Sequence, residues 1–244
     1  MKTSDVELGF LATPDAVAVP GVVMIHDVWG LSAHTRDLAT RLAGEGFAVL
    51  AIDLYRREAA PVIEDPGKWM RALSDPQVLA DLGTGARWLA ARPETNGRVG
   101  VVGFCMGGMY ALMAGCADLG FAAAVPFYGL LSHAHGILHD PAGLDPARKP
   151  REPLAMAGAL RCPLLAFFGE DDAFVPLDDV RALERALAGA AAESEIVVVP
   201  GAGHAFMNDT RPDAYRPQAA AAAWRRMVDF LRVRLEDRLG DGVA

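Results

Sequence analysis

Val99-Gly100-Val101-Val102-Gly103-Phe104-Cys105-Met106-Gly107-Gly108 joins an apolar run to a helical pattern through a turn too tight for ordinary side chains. The Val-rich run has the length and composition of a strand covered on both faces. The stretch that follows, Met106–Ala117, is small and apolar and predicts a buried helix. Gly103 and Gly107 stand two before and two after Cys105, where a strained backbone needs neighbours without side chains. A strand–turn–helix of this kind presents its middle residue at the C-terminal edge of a sheet, the place of a nucleophile. Unpaired N–H groups and the macrodipole at the helix start favour a thiolate there and can also hold an oxyanion. Two other readings are a close-packed strand–helix junction and a phosphate loop with Cys105 as a small buried residue. Neither GxGxxG nor GxxxxGK[ST] fits this stretch.

Working outward, five further apolar runs each precede or follow a turn and an amphipathic pattern: Val22–Ile25, Phe47–Ile52, Ala122–Phe127, Leu164–Phe168 and Ile196–Val199. Helices are expected over Thr35–Ala43, from Ser74-Asp75 to Ala91, and over Leu177–Ala190 and Tyr215–Leu239. Val6–Val19 reads as an antiparallel edge hairpin, and the core begins at Gly21. The alternation predicts an α/β fold with a mainly parallel central sheet and helices on both faces, and one domain over residues 1–244. Two segments carry no clear period, Arg56–Leu73 and Leu130–Ala159; the second is expected to be a cap over a pocket or a loop excursion.

With 52% hydrophobic and 22% charged residues the chain can bury a large core. Its net charge of −8, with no basic patch, argues against nucleic acid as a partner. No window approaches the roughly 20 apolar residues of a membrane span, and the N-terminus lacks a secretory pattern, so a cytoplasmic protein without a membrane partner is expected. Cys105, Cys116 and Cys162 are an odd number without CxxC spacing, which disfavours disulfides and structural zinc.

Two loops complete the chemistry. Phe168-Gly169-Glu170-Asp171-Asp172-Ala173-Phe174-Val175-Pro176 follows one apolar run, and Pro200-Gly201-Ala202-Gly203-His204-Ala205-Phe206 follows the last. Asp172 is preferred to Asp171 because it stands three after the Gly and three before Val-Pro, while Leu177-Asp178-Asp179 reads as a helix cap. Nucleophile, then acid, then histidine is the chain order of the α/β-hydrolase fold. In that frame His204 takes the proton of Cys105, Asp172 holds the imidazole, and the amides of Met106 and Val28 form the oxyanion hole. No metal or organic cofactor is required.

The chain resembles the dienelactone hydrolases, which open an enol-lactone with a Cys–His–Asp triad. The resemblance rests on Ile25-His26-Asp27-Val28-Trp29-Gly30-Leu31, Asp53-Leu54-Tyr55, the Cys105 turn, Phe127-Tyr128-Gly129, Asp172-Ala173-Phe174-Val175-Pro176 and Ala202-Gly203-His204-Ala205-Phe206. It implies Cys105, Asp172 and His204 as the triad and Val28 and Met106 as the oxyanion donors. It also implies an auxiliary carboxylate beside the cysteine, for which this chain has Asp27 where the family usually has Glu. The substrate implied is a small-molecule ester or lactone. An arginine that holds a substrate carboxylate in the family would fall four residues after the histidine, where this chain has Asn208. Lys68 and Arg71, beside Trp69, are the remaining candidate cations. Trp29, Trp69, Phe174 and Phe206, with Phe127, are candidates to line the pocket. His133, His135 and His139 lack accompanying Cys or paired carboxylates and are not expected to bind a metal. An acyltransferase or thioesterase with the same triad, a ligand-binding homologue without turnover, and a redox-sensing Cys105 are the rival functions. One sequence says nothing of oligomeric state.

Overall fold

The apolar runs form one sheet of eight strands in the computed structural model, which describes residues 1–58 and 62–236. Six strands are parallel to one another: β3 (Val19–Ile25), β4 (Ala48–Ile52), β5 (Thr95–Phe104), β6 (Ala123–Phe127), β7 (Leu164–Gly169) and β8 (Ser194–Val199). The hairpin β1 (Lys2–Val6) and β2 (Gly9–Thr13) adds two antiparallel strands beside β4, giving the order β1-β2-β4-β3-β5-β6-β7-β8. The hairpin thus starts upstream of the expected Val6–Val19, which holds β2 but not the body of β1. Its turn is at Glu7-Leu8, because Leu11 and Ala12 have to alternate into the two cores beside β4.

Alternation along the strands divides the core. On β5, Val99 and Val101 face one side, with α3 (Asp75–Ala90), α4 (Met106–Cys116) and α6 (Leu177–Leu187); Val102 and Phe104 face the other, with α1 (Ala33–Gly44) and α7 (Pro217–Leu235). Burial on both faces makes the central strands continuously apolar. The helix starts are chemically specified. Ser32 and Ser74 accept hydrogen bonds from the amides of Thr35 and Gln77 at the starts of α1 and α3.

Three expectations are corrected. Within Arg56–Leu73 a short helix, α2 (Pro66–Ala72), starts from an Asp65 cap; under two turns is too short for a visible period. Asp178 and Asp179 do not cap α6, whose cap position is Pro176; Asp178 pairs with Arg181 and Asp179 with His135. The last helix starts at Pro217 rather than Tyr215, since a residue before proline is driven to extended backbone, as Arg216 is; the expected end at Leu239 lies outside the described residues. No helix among the described residues is long and apolar enough to cross a membrane.

The segment 130–159 holds a 3-10 turn (Gly136–Leu138) and the one-turn helix α5 (Pro153–Met156). It packs against α2, α4 and α6.

The β5–α4 turn is the tightest packing in the molecule. A Cβ on Gly103 would lie 2.0 Å from the carbonyl oxygen of Gly107, and one on Gly107 would lie 2.3 Å from that of Ile25. Both obstacles are backbone atoms that cannot rotate away. Gly107→Ala is therefore expected to lower the unfolding free energy by roughly 2 kcal/mol or more. Urea denaturation checks this, and an unchanged midpoint would show that α4 can stand further from β3.

Candidate active site

The turn after β5 holds Cys105 at φ 57° and ψ −116°, a left-handed conformation for a residue with a side chain. Its amide donates to Phe127 O at 3.1 Å and its carbonyl accepts from Met109 N at 3.0 Å, so both neighbouring elements fix the strain. Three of the four non-glycine residues with positive φ among the described residues are Cys105, Tyr128 and Ala205, which all line one narrow cleft. His204 lines it too.

Asp172 sits in the loop after β7 with its side chain fully buried. Its Oδ1 accepts from the amides of Phe174 (2.8 Å) and Val175 (3.2 Å), and its Oδ2 meets Nδ1 of His204 at 2.8 Å. Asp171 joins this loop through its backbone, its amide donating a hydrogen bond to Ala202 O. The His204 ring is wedged edge-on between Tyr128 (5.0 Å) and Phe174 (4.9 Å). Burial by itself would lower the pKa of His204. The charge of Cys105, hydrogen bonds to Asp172 and Cys105, and the Asp172 carboxylate outweigh it and push the imidazolium up to about 10.

The loop after β3 supplies the facing wall. His26 is buried and staples this loop to the next, with Nδ1 on Asp27 O (2.6 Å) and Nε2 accepting from the Leu54 amide (3.1 Å). Burial keeps its pKa low, so it is a neutral ring. The Tyr55 hydroxyl donates to Val28 O (2.9 Å) and touches Met106 Sδ (3.4 Å), tying the two expected oxyanion residues to one side chain. Met106 opens α4, so its amide has no intrahelical acceptor. Asp27 lines the cleft, and its Oδ1 accepts from the Trp29 amide at 3.0 Å. Burial raises its pKa.

The expected pocket residues separate. Trp29 lines the cleft and is half-exposed. Phe174 buttresses His204, whereas Phe206 is fully buried, edge-on to Tyr128, because Ala205 turns the chain inward. Trp69 packs edge-on to Tyr55, away from this cleft. Arg71 is engaged by Ile137 O (2.7 Å) and Asp140 (3.6 Å), and Lys68 is exposed on α2. The described residues contain no cluster of His, Cys, Asp or Glu able to hold a metal, so His133, His135 and His139 form no such group.

Sequence reasoning missed two basic cleft residues, His34 and Arg211. Arg211 stands seven after His204. Asn208 Oδ1 accepts from the amide and hydroxyl of Thr210, and this turn brings Arg211 back to the cleft, which it shares with Asn208. The Arg211 guanidinium has only a 4.0 Å approach to Asp213. His34, in the first turn of α1, has its Nδ1 3.4 Å from Asp209, and burial lowers its pKa.

The "Dienelactone hydrolase family" model matches residues 8–235. A Salmonella typhimurium protein named "Putative carboxymethylenebutenolidase" is 34% identical over 218 residues, covering 87% of this chain and 77% of that protein. A Bradyrhizobium protein named "Probable 2-oxo-3-(5-oxofuran-2-ylidene)propanoate lactonase" is 31% identical over 230 residues, covering 92% and 88%. Among solved structures, a "Putative Dienelactone Hydrolase" from Klebsiella pneumoniae superposes with a TM-score of 0.80 at 33% identity, covering 90% of each chain.

The opposing pulls on His204 make a prediction. Its ring, followed by NMR, should titrate near 10 in the wild type, and in Cys105→Ala it should fall toward the ordinary value of 6.5, because burial is then opposed by Asp172 alone. An unchanged titration would mean that sulfur and ring are not coupled.

Proposed function

The chain belongs to the dienelactone hydrolase family, and from that premise we propose that it hydrolyses small carboxylic esters or lactones through an acyl-enzyme on Cys105. One observation carries the reading: a buried carboxylate, Asp172, holds a histidine that lines the same cleft as a cysteine at a strained strand–helix turn.

The chemistry follows from the charges. With Nδ1–H of His204 donating to Asp172, the other ring nitrogen serves Cys105 and takes its proton, so that a thiolate and an imidazolium form together. The thiolate attacks the substrate carbonyl, and the amides of Met106 and Val28 receive the oxyanion. The imidazolium then gives its proton to the departing oxygen. In a lactone that oxygen stays attached to the acyl group.

Forming the thioester removes the negative charge that opposed burial most strongly at His204. Burial then favours the neutral ring, which becomes a base for the hydrolytic water at the moment one is needed. Asp27, on the opposite wall, is the auxiliary carboxylate, its pKa raised by burial.

Substrate choice follows from the cleft. Trp29 and Tyr128 offer aromatic surface, while Arg211 and Asn208 offer donors at one end. Arg211 supplies the cation that position 208 lacks. The printed name of the Bradyrhizobium relative describes a lactone that is also a propanoate, a substrate with such an anionic group.

Two outcomes test this. Cys105→Ala should lower kcat on aryl esters and lactones by roughly 10⁴-fold or more, and intact-mass spectra of the wild type during turnover should show the acyl group on Cys105. Equal activity in the variant would remove Cys105 from the reaction. Arg211→Ala should raise KM about tenfold for an ester carrying a free carboxylate and leave a neutral analogue unaffected. Equal changes for both would place Arg211 outside the substrate site.

A further inference from the structure

The reaction as derived makes no use of a charged cluster beneath the 130–159 segment. Lys149 of that segment is sunk into the body with 1% of its side chain exposed; its Nζ lies 2.5 Å from Asp75 Oδ1 and 3.2 Å from the Tyr110 hydroxyl. Tyr110 donates to the same Asp75 oxygen at 2.8 Å. Asp75 opens α3, and Tyr110 lies one turn into α4, the helix that begins beside Cys105. The second Asp75 oxygen is buried without a hydrogen-bond partner among the described residues.

A buried ion pair of this kind rarely adds net stability over an apolar pair, and a carboxylate half-satisfied adds less. It does supply direction. Two bonds at fixed angles specify where residue 149 enters, which apolar packing would leave free to slide. Direction matters here, because 130–159 has almost no regular structure to fix its path.

Neighbouring contacts follow from that seat. The Asp75 amide donates to Arg148 O at 2.8 Å, Arg148 reaches Ala72 O at 2.5 Å, and Glu152 closes the neck on the amide of His133 at 3.1 Å. At the far end His135 meets Asp179 on α6 at 3.2 Å, and a Cβ added to Gly136 would come within 4.0 Å of Phe174 O. Phe174 is the ring pressed on His204.

We propose that Lys149 is a positioning residue: its buried ammonium seats the 130–159 segment on α3 and α4, and the seated segment, packed on α6 and joined to it by His135 and Asp179, holds the acid loop that leads into α6, and with it Phe174, against His204. The seat stands on its own contacts. Only its kinetic consequence rests on His204 being the base.

The test uses Lys149→Met, which keeps length and removes charge, and the double variant Lys149→Met/Asp75→Leu, which also removes the stranded carboxylate. Trypsin reads the seat, since Arg148 and Arg151 flank the site and the bond after Lys149 is protected by Pro150. In Lys149→Met, cleavage at these arginines should accelerate about tenfold or more below the melting temperature, with a shifted His204 ring resonance and a lower kcat at similar KM.

The double variant decides between seat and stability. With Tm recovered, persistent cleavage, a shifted His204 resonance and a low kcat support positioning; recovery of all three together with Tm would overturn it. Wild-type cleavage in either variant would overturn it as well. If Lys149→Met fails to fold, the double variant carries the same comparison. Should the wild type turn over no ester, the cleavage and resonance readouts still judge the seat while the hydrolase reading fails separately.

Discussion

Backbone touching backbone at the start of α4 is the constraint on which the site depends. Gly107 sits so close to Ile25 and His26 that the helix N-terminus and the loop after β3 share one surface. That contact brings the start of α4, where Met106 stands, against the loop that carries Val28. Tyr55 reinforces it by bonding Val28 O while touching Met106. The strain at Cys105 is then sustained by hydrogen bonds from both flanks rather than by the turn alone.

Electrostatics on that frame assigns opposite states to two histidines in one cleft. Burial pulls both rings toward neutrality. His204 escapes because a sulfur charge and a fixed carboxylate lie on it, whereas the Asp209 partner of His34 is further off, at 3.4 Å, and Arg41 opposes it. Pairs of titratable groups driven apart in this way mark acid and base roles, and here the division singles out His204 as the group whose state changes with the charge on Cys105.

The sheet, the turn and the placing of Cys105, Asp172 and His204 were legible because each is encoded locally. A Val-rich run followed by Gly-x-Cys-x-Gly admits few backbones, and an Asp or His one loop beyond an apolar run has to emerge at the same sheet edge. Arg211 was not legible. Its direction depends on an Asn208–Thr210 turn that reverses the chain, and counting four residues past the histidine stops before that reversal. Phe206 erred the other way, since a positive φ at Ala205 sends it into the core. His34 belongs to no motif, and only the placing of α1 against the cleft brings it there. Lys149 lies in a stretch with no period at all, and only tertiary structure brings it to Asp75, 74 residues earlier.

These cases share a physical cause. Local sterics decide where a strand ends and a turn strains, so motifs carry the nucleophile, acid and base. Side chains that select substrate or hold a segment in place act across the fold, through one or two directional bonds. A bidentate clamp or a buried ammonium needs a partner and not a pattern. On the proposed function the reaction is written in short glycine-flanked stretches, while substrate choice is assigned to Arg211 and the setting of the His204 ring to Phe174, both on loops folded back on the sheet edge.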